Sequence, residues 1–149
     1  MNYEINDNTL ALIFNNNNTM VFEKNNFFII KGVIPNNIIK YSCEYFGSSF
    51  EGRIKGTFKL TGITHKTPII IEESNEIIFF PTSSSRLREC SWIRSKYVKK
   101  ILRIINNKVK IIFIDNQEIE IDYSYESINN QILRSSRLES VLRYRKNVK

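Results

Sequence analysis

Short apolar runs separated by asparagine-rich segments mark the first thirty residues as β structure. Residues 10–14 and 20–23 form two such runs, and four consecutive asparagines at 15–18 lie between them. Because asparagine tolerates the backbone geometry of tight turns, we expect the two runs to pair as a hairpin. Residues 27–31 form a third apolar run and predict a third strand.

A helix is predicted next, from its start and stop signals. Pro35, followed by two asparagines, opens it, and Gly47 closes it. Ile39, Cys43 and Phe46 have the i, i+4, i+7 spacing of a buried helical stripe. That position makes Cys43 a core thiol rather than a reactive one.

Segment 49–61 fits either a helix or a strand, and we predict a helix. The residues on its proposed buried face are Phe50, Ile54, Phe58 and Thr61, and those on the other side are Lys55 and Lys59, with Arg53 beside them. Gly52 and Gly56 each cost a helix about 1 kcal/mol relative to alanine, and residues 57–61 alternate well enough for a strand. Glycine also permits close approach of the backbone by another chain, such as a sugar-phosphate backbone.

Two more strands are predicted at residues 68–72 and 77–80. The loop that follows, residues 81–88, is rich in hydroxyls and carries Arg86 and Arg88. Serine and proline are common in any loop. Hydroxyls, backbone amides and arginine are also the groups that bind phosphate oxygens, and the two arginines lead us to favour this interpretation.

The last third of the chain predicts a three-stranded meander and a helix. The first segment, residues 97–105, fits a helix or a strand by periodicity. Short turns at 106–107 and 115–116 favour strands at 97–105, 108–114 and 117–121. The helix begins near Ser124 and continues to about Lys146, with Ile128, Ile132, Ser135, Leu138 and Leu142 on one face. The expected fold is therefore α+β, one domain over residues 1–149, with antiparallel hairpins, a meander and two to three helices, including one at the C-terminus.

Charge is segregated along the chain, which has a formal net charge of +7. Residues 86–110 contain nine basic residues and one acid, whereas residues 111–128 contain five acids and no base. From residue 134 onward there are six basic residues and one acid. This distribution favours a polyanionic partner, although a solvated basic surface gives the same pattern.

Catalytic and metal-binding patterns are not found in this sequence. His65 is its one histidine, no nucleophile-elbow motif surrounds a serine, and no glycine-rich phosphate loop is present. Two cysteines and one histidine offer too few ligands for a zinc site. We therefore expect no enzyme activity, no cofactor and no metal. No basic segment followed by an apolar one begins the chain, so no export signal is expected.

The order of unlike pieces between residues 45 and 93 resembles the competence transcription factor family (ComK-like). These pieces are YFGSSFEGRIKGT at 45–57, ITHKTPI at 63–69, IIFFPT at 77–82 and RLRECSWI at 86–93. Weaker likeness continues at Ser124-Tyr125, Asn130-Gln131, Arg134 and Leu138. Trp92 lies in the Cys-x-Trp-Ile motif at 90–93. It is expected in the core or in an interface, because an apolar ring next to Ile93 fits a buried strand.

The resemblance implies a cytoplasmic, nucleoid-associated activator of genes for DNA uptake. Such proteins bind paired A/T-rich boxes of double-stranded DNA mainly from the minor groove, as homodimers that associate further on the DNA, with RNA polymerase as a further partner. Family members commonly continue beyond the last helix, and that extension is linked to a protease adaptor and to activation. The chain ends at Lys149, so the adaptor is not an expected partner, and a non-activating paralogue that modulates a full-length regulator is an alternative.

The expected DNA contacts combine the resemblance with the chemistry of cationic side chains. The family's Gly-Arg and His-Lys pairs match Gly52-Arg53 and His65-Lys66, and narrow A/T-rich grooves attract inserted arginine and lysine. The candidate residues are Arg53, Lys55, Lys66, Arg86 and Arg88, followed by Arg134 and Arg137 on the last helix. A rival hypothesis is a basic protein-interaction module that binds an acidic protein or, less well, a membrane surface.

Overall fold

The computed structural model describes residues 3–148 and has the predicted α+β architecture. The strands of the larger sheet are β1 (Thr9–Asn15), β2 (Asn18–Glu23), β3 (Asn26–Ile30), β4 (Ile69–Glu72), β5 (Ile77–Pro81) and β6 (Trp92–Ile93). Those of the smaller sheet are β7 (Val98–Ile104), β8 (Lys108–Phe113) and β9 (Glu118–Ile121). The helices are α1 (Pro35–Tyr45), α2 (Phe50–Thr61) and α3 (Tyr125–Asn147).

Both sheets are antiparallel throughout the described residues. The larger sheet has the order β3-β2-β1-β6-β5-β4, and the smaller one has the order β7-β8-β9. Asparagine forms the tight turns at positive φ: Asn16 and Asn17 join β1 to β2, and Asn106 and Asn107 join β7 to β8. The predicted hairpin and meander are therefore confirmed, and the turn chemistry that predicted them is present.

Segment 49–61 is helical, as predicted, and its ends explain why. The Ser49 hydroxyl accepts a hydrogen bond of 2.9 Å from the Gly52 amide, which caps the first turn of α2. Gly62, at φ +79°, ends the helix in the left-handed conformation that glycine adopts without strain. Ser124 caps α3 in the same way, through the Ser127 amide at 3.1 Å.

The larger sheet lies between two layers that bury both of its faces. On one face, Leu12 and Phe79 pack with Ile38 and Ile39 of α1. On the other face, residues of the larger sheet pack with residues of the smaller sheet and of the first turns of α3. Those of the larger sheet are Leu10, Phe80 and Ile93, and their partners are Val109, Ile111, Phe113 and Ile128. Burying both faces of the central strands explains their continuous apolar runs. Within residues 3–148, none of the helices is long and apolar enough to cross a membrane.

One local prediction needs correction, and another is confirmed. Phe58 was expected on the buried face of α2 but is 53% exposed. The buried residues of α2 are instead Thr57 and Thr61, and the Thr57 hydroxyl donates a 2.7 Å hydrogen bond to the Pro68 carbonyl. Strand β6 is the buried strand that Trp92 and Ile93 were expected to fit. Trp92 within it is fully buried, as expected.

One residue of the basic stretch 86–110 belongs to the core. Arg94 is fully buried, and its Nη1 lies 3.0 Å from Asp7 Oδ1. Its guanidinium also stacks on the Tyr97 ring, 4.2 Å from the centroid. A buried arginine paired in this way stabilises the fold only while its partners remain, and it is not accessible to a polyanion. Charge counted along the sequence therefore overstates the charge on the surface.

Candidate nucleic-acid interface

Four segments that are distant in the sequence enclose an open cleft of about 1000 Å³. They are the first turns of α1, the first turns of α2, the 64–67 loop before β4, and the 84–88 part of the hydroxyl-rich loop. The cationic or imidazole side chains that line the cleft are Lys40, Lys55, His65, Lys66, Arg86 and Arg88. Glu51 is the one acid that lines it among the described residues. We call this feature the basic cleft.

The hydroxyl-rich loop is held against α1 by one buried amide. Asn36 is 8% exposed, and its Nδ2 donates hydrogen bonds of 3.0 Å to the carbonyls of both Ser85 and Leu87. Its Oδ1 accepts a hydrogen bond of 2.8 Å from the Trp92 indole N–H. Asn36 therefore links the loop to the core, and it sets the position from which Arg86 projects.

The two arginines of this loop differ in their surroundings. Arg88 is exposed, and its Nη2 donates a 3.0 Å hydrogen bond to Oδ1 of Asn17 in the β1–β2 turn. Arg86 is exposed, and its guanidinium has no hydrogen-bond or ion-pair partner among residues 3–148. Lys55 is likewise exposed and unpaired in the described structure. Unpaired cations on one rim are free to bind anionic groups without first breaking a salt bridge.

Helix α3 fixes the loop that carries His65 and Lys66. The buried Gln131 donates from Nε2 to the Lys66 carbonyl at 2.9 Å and to the Pro81 carbonyl at 2.8 Å. Lys66 has a φ of +46°, which is uncommon for a residue with a Cβ, and these bonds hold that conformation. Lys66 Nζ lies 3.1 Å from Ser127 Oγ.

Arg134 contributes to this loop rather than projecting freely. Its guanidinium donates hydrogen bonds to the carbonyls of His65 and Lys66 and to the side chain of Gln131. Burial lowers the pKa of the Arg134 guanidinium from its ordinary value, because a charge is less stable away from water. Arginine nevertheless remains charged, so Arg134 adds positive potential while it holds the backbone.

A second hollow, of about 530 Å³, continues the basic cleft along α3. It shares His65 and Lys66 with the cleft, so the two form one continuous surface. Its remaining lining residues are Ser127, Asn130, Gln131, Leu133 and Arg134. Of the seven residues predicted to contact DNA, this surface includes Lys55, Lys66, Arg86, Arg88 and Arg134.

Arg53 and Arg137 do not line this surface. Arg53 is 16% exposed, and it bonds the Ile71 carbonyl and pairs with Glu73, each at 3.5 Å. It ties α2 to the end of β4, on a different side of the helix from Lys55. Arg137 is exposed on α3 but lies outside both hollows.

The sequence reasoning missed three residues of the site. Lys40 lines the cleft from α1, one turn beyond Asn36. Asn36 itself was interpreted only as a helix-start residue, and Gln131 only as part of the family likeness. Each amide has an asparagine next to it in the sequence, so no local signal distinguished either one. Their partners, 49 and 65 residues distant, were not predictable from local spacing.

The side chains of this surface are those of a binding site. Burial raises the pKa of the Cys43 thiol to about 11, and burial also raises that of Cys90, so neither is an activated nucleophile. Among residues 3–148, no group of three or more His, Cys, Asp or Glu side chains is placed to hold a metal ion. What remains is a set of cations, hydroxyls and amides around an open cleft, which are the groups that contact a phosphate backbone.

The variant Gly56→Ala tests whether the glycines of α2 serve close approach by a ligand. Gly56 lies inside the helix, and a Cβ there would have no neighbour within 4 Å. We expect this variant to raise the free energy of unfolding by about 0.5–1 kcal/mol in urea titration, and to leave DNA affinity unchanged. A stabilised variant with weakened DNA binding would show that the ligand approaches this backbone.

Comparison with known proteins identifies the family. The sequence model of the family described as "ComK protein" matches residues 1–147. The "Competence transcription factor" of Bacillus subtilis (strain 168) is 34% identical over 142 residues, which cover 93% of this chain and 73% of that protein. No solved structure gives a significant match. The predicted resemblance is confirmed over nearly the whole chain, which therefore belongs to the ComK family of competence transcription factors, a family of regulators and not of enzymes.

Proposed function

We propose that this chain binds A/T-rich boxes of double-stranded DNA largely through the minor groove, and that it activates genes for DNA uptake. The observation that carries the proposal is the convergence of cations from four segments on the basic cleft. The rim of the cleft carries five formal positive charges and one negative charge, which is that of Glu51. The positive charges are those of Lys40, Lys55, Lys66, Arg86 and Arg88. Because the chain belongs to a family of transcription factors, we take the polyanion that binds this cleft to be DNA.

Recognition of A/T-rich DNA follows from shape more than from hydrogen-bond codes. The minor groove distinguishes A·T from G·C pairs but not A·T from T·A. A-tracts narrow that groove and concentrate negative potential, which favours inserted guanidinium groups. Arg86 is the best placed for this role, because it is exposed, has no partner in the described chain and stands on a loop fixed by Asn36. The serine hydroxyls and Lys55, on the same rim, are then proposed to bind phosphate oxygens.

Two copies acting on paired boxes are part of the proposal. In this proposal one basic cleft binds one A/T-rich box. A pair of boxes then requires a second copy of the protein, related to the first by the symmetry of the DNA. RNA polymerase is the proposed further partner of the activated promoter, and the cytoplasm is the proposed location.

Binding to an A-tract duplex is expected to be stronger than to a G·C-rich duplex of equal length, and strongly salt-dependent. If about five phosphates are neutralised, the logarithm of affinity should fall with the logarithm of salt concentration at a slope of about −4 to −5. Fluorescence anisotropy at several salt concentrations measures both quantities.

Lys55→Ala and Lys59→Ala form the matched pair for this measurement. Both lysines are exposed on α2, but Lys55 lines the cleft and Lys59 does not. The first variant should reduce the slope by about one, and the second should leave it unchanged. Equal weak binding to both duplexes would support instead a generic basic module, and a flat salt dependence would remove the phosphate contacts.

A further inference from the structure

The β7–β8 hairpin carries charge that the basic cleft does not use. Residues 98–114 contain five basic residues and no acid. Two of the five have ionic partners, since Arg103 bonds Glu126 and Lys110 lies 3.4 Å from Glu118. Lys100 and Lys108 have no hydrogen-bond or ion-pair partner within residues 3–148, and β7 is an edge strand of the smaller sheet.

The tip of this hairpin presents an isoleucine to solvent. Asn106 and Asn107, at φ +63° and +55°, make the tight turn, and Ile105 precedes them. Ile105 is 83% exposed, more than any other large hydrophobic residue in the described chain. The strand before it ends at Ile104, which pairs with Lys108. An apolar side chain therefore stands at the end of a ribbon whose flanks are cationic.

Contacts at the base of the tip connect the ribbon to the DNA surface described above. Arg103 lies over the Tyr125 ring, 4.2 Å from its centroid, and bonds Glu126 in the first turn of α3. The next residue, Ser127, lines the second hollow and contacts Lys66. The tip of the hairpin and the hollow thus share the N-terminal end of α3, and Ile105 is two residues beyond Arg103.

We propose that this hairpin is a second DNA-contacting element, in which Ile105 inserts between adjacent base pairs through the minor groove while Lys100 and Lys108 bind the flanking phosphates. The inference rests on the proposed DNA-binding function. Minor-groove proteins use apolar wedges of this size to separate stacked bases. TA steps, which A/T-rich sites contain, unstack most easily, so insertion is directed to such a step. Ile105, which is exposed in the free protein, would then be buried against the unstacked base pair.

The test uses the whole chain and a duplex with 2-aminopurine in place of adenine at a central TA step. Fluorescence of this base rises when it is unstacked, and anisotropy gives the affinity. Ile105→Ser should bind about tenfold more weakly than the unmodified protein, lose the fluorescence rise and keep the salt slope, because no charge has changed. Ile105→Leu should retain both binding and fluorescence. Val148→Ser, a change at another exposed apolar residue, should have no effect.

The outcomes separate this inference from the proposed function. If Ile105→Ser binds with full affinity and gives the full fluorescence rise, the wedge is overturned while the basic cleft stands. Loss of binding in both Ile105→Ser and Ile105→Leu would mean that any change at the tip is disruptive, which also overturns the wedge. If the unmodified protein shows no preference for A/T-rich duplex, the proposed function fails and the wedge fails with it.

Discussion

Replacement of Arg86 and Arg88 together by alanine is expected to weaken binding of A/T-rich duplex by about 30- to 150-fold. Each arginine offers charge-assisted hydrogen bonds to phosphate or groove acceptors, and the loss of both is worth about 2–3 kcal/mol. The salt slope should fall by about two, since two cations are removed. Both side chains are exposed, so the fold is expected to be unaffected, with only the Arg88–Asn17 hydrogen bond lost.

The control for this double variant is Arg137→Ala. Arg137 is also an exposed arginine, but it lies outside the basic cleft and the second hollow. Its replacement should change affinity and slope little. If Arg137→Ala weakens binding as much as the double variant does, the DNA lies along the exposed face of α3, and the cleft is not the interface.

Replacement of Asn36 by alanine is expected to destabilise the protein by about 2–4 kcal/mol. The change leaves the Trp92 indole N–H without its acceptor in a buried site, and it leaves the carbonyls of Ser85 and Leu87 without their donor. Buried polar groups that lose their partners cost more than the hydrogen bond itself contributed. For a chain of this size the melting temperature should fall by about 5–12 °C.

The same variant should also weaken DNA binding at temperatures where it is folded. Without Asn36 the hydroxyl-rich loop loses its attachment to α1, so ordering that loop becomes part of the binding process. Asn37→Ala is the matched control, because Asn37 is the exposed neighbour and also lines the cleft. Calorimetry of both variants decides the matter: a melting temperature for Asn36→Ala within 2 °C of that for Asn37→Ala contradicts the anchoring role.

Elements with strong local signals were predictable from the sequence. The asparagine turns, the start of α3 near Ser124 and the apolar stripe of α3 each depend on signals within a few residues, and the structure contains them where the sequence indicated. Strand β6 was indicated only by the apolar pair Trp92-Ile93, and its place in the sheet could not be predicted. It has two residues and exists because β1 and β5 pair with its two sides, which are contacts between distant segments.

The candidate site was predictable in its composition but not in its geometry. The sequence indicated which segments carry cations, and the structure brings two of those loops together with the first turns of α1 and α2. The sequence could not indicate that Arg53 faces Glu73, 20 residues later, rather than the cleft, because that depends on how α2 is rotated against β4. In that orientation Thr57 is buried and bonds the Pro68 carbonyl, a contact that no periodicity of apolar residues reveals.

Both cation-bearing loops are attached to helices through their main-chain carbonyls, by Asn36 in one case and Gln131 in the other. A carbonyl is present whatever amino acid occupies the position. Mutation can therefore exchange Ser85, Arg86 or Lys66 for other residues while the framework beneath stays intact. Substitutions at these three positions are therefore expected to change the proposed DNA contacts while the two amides keep both loops in place.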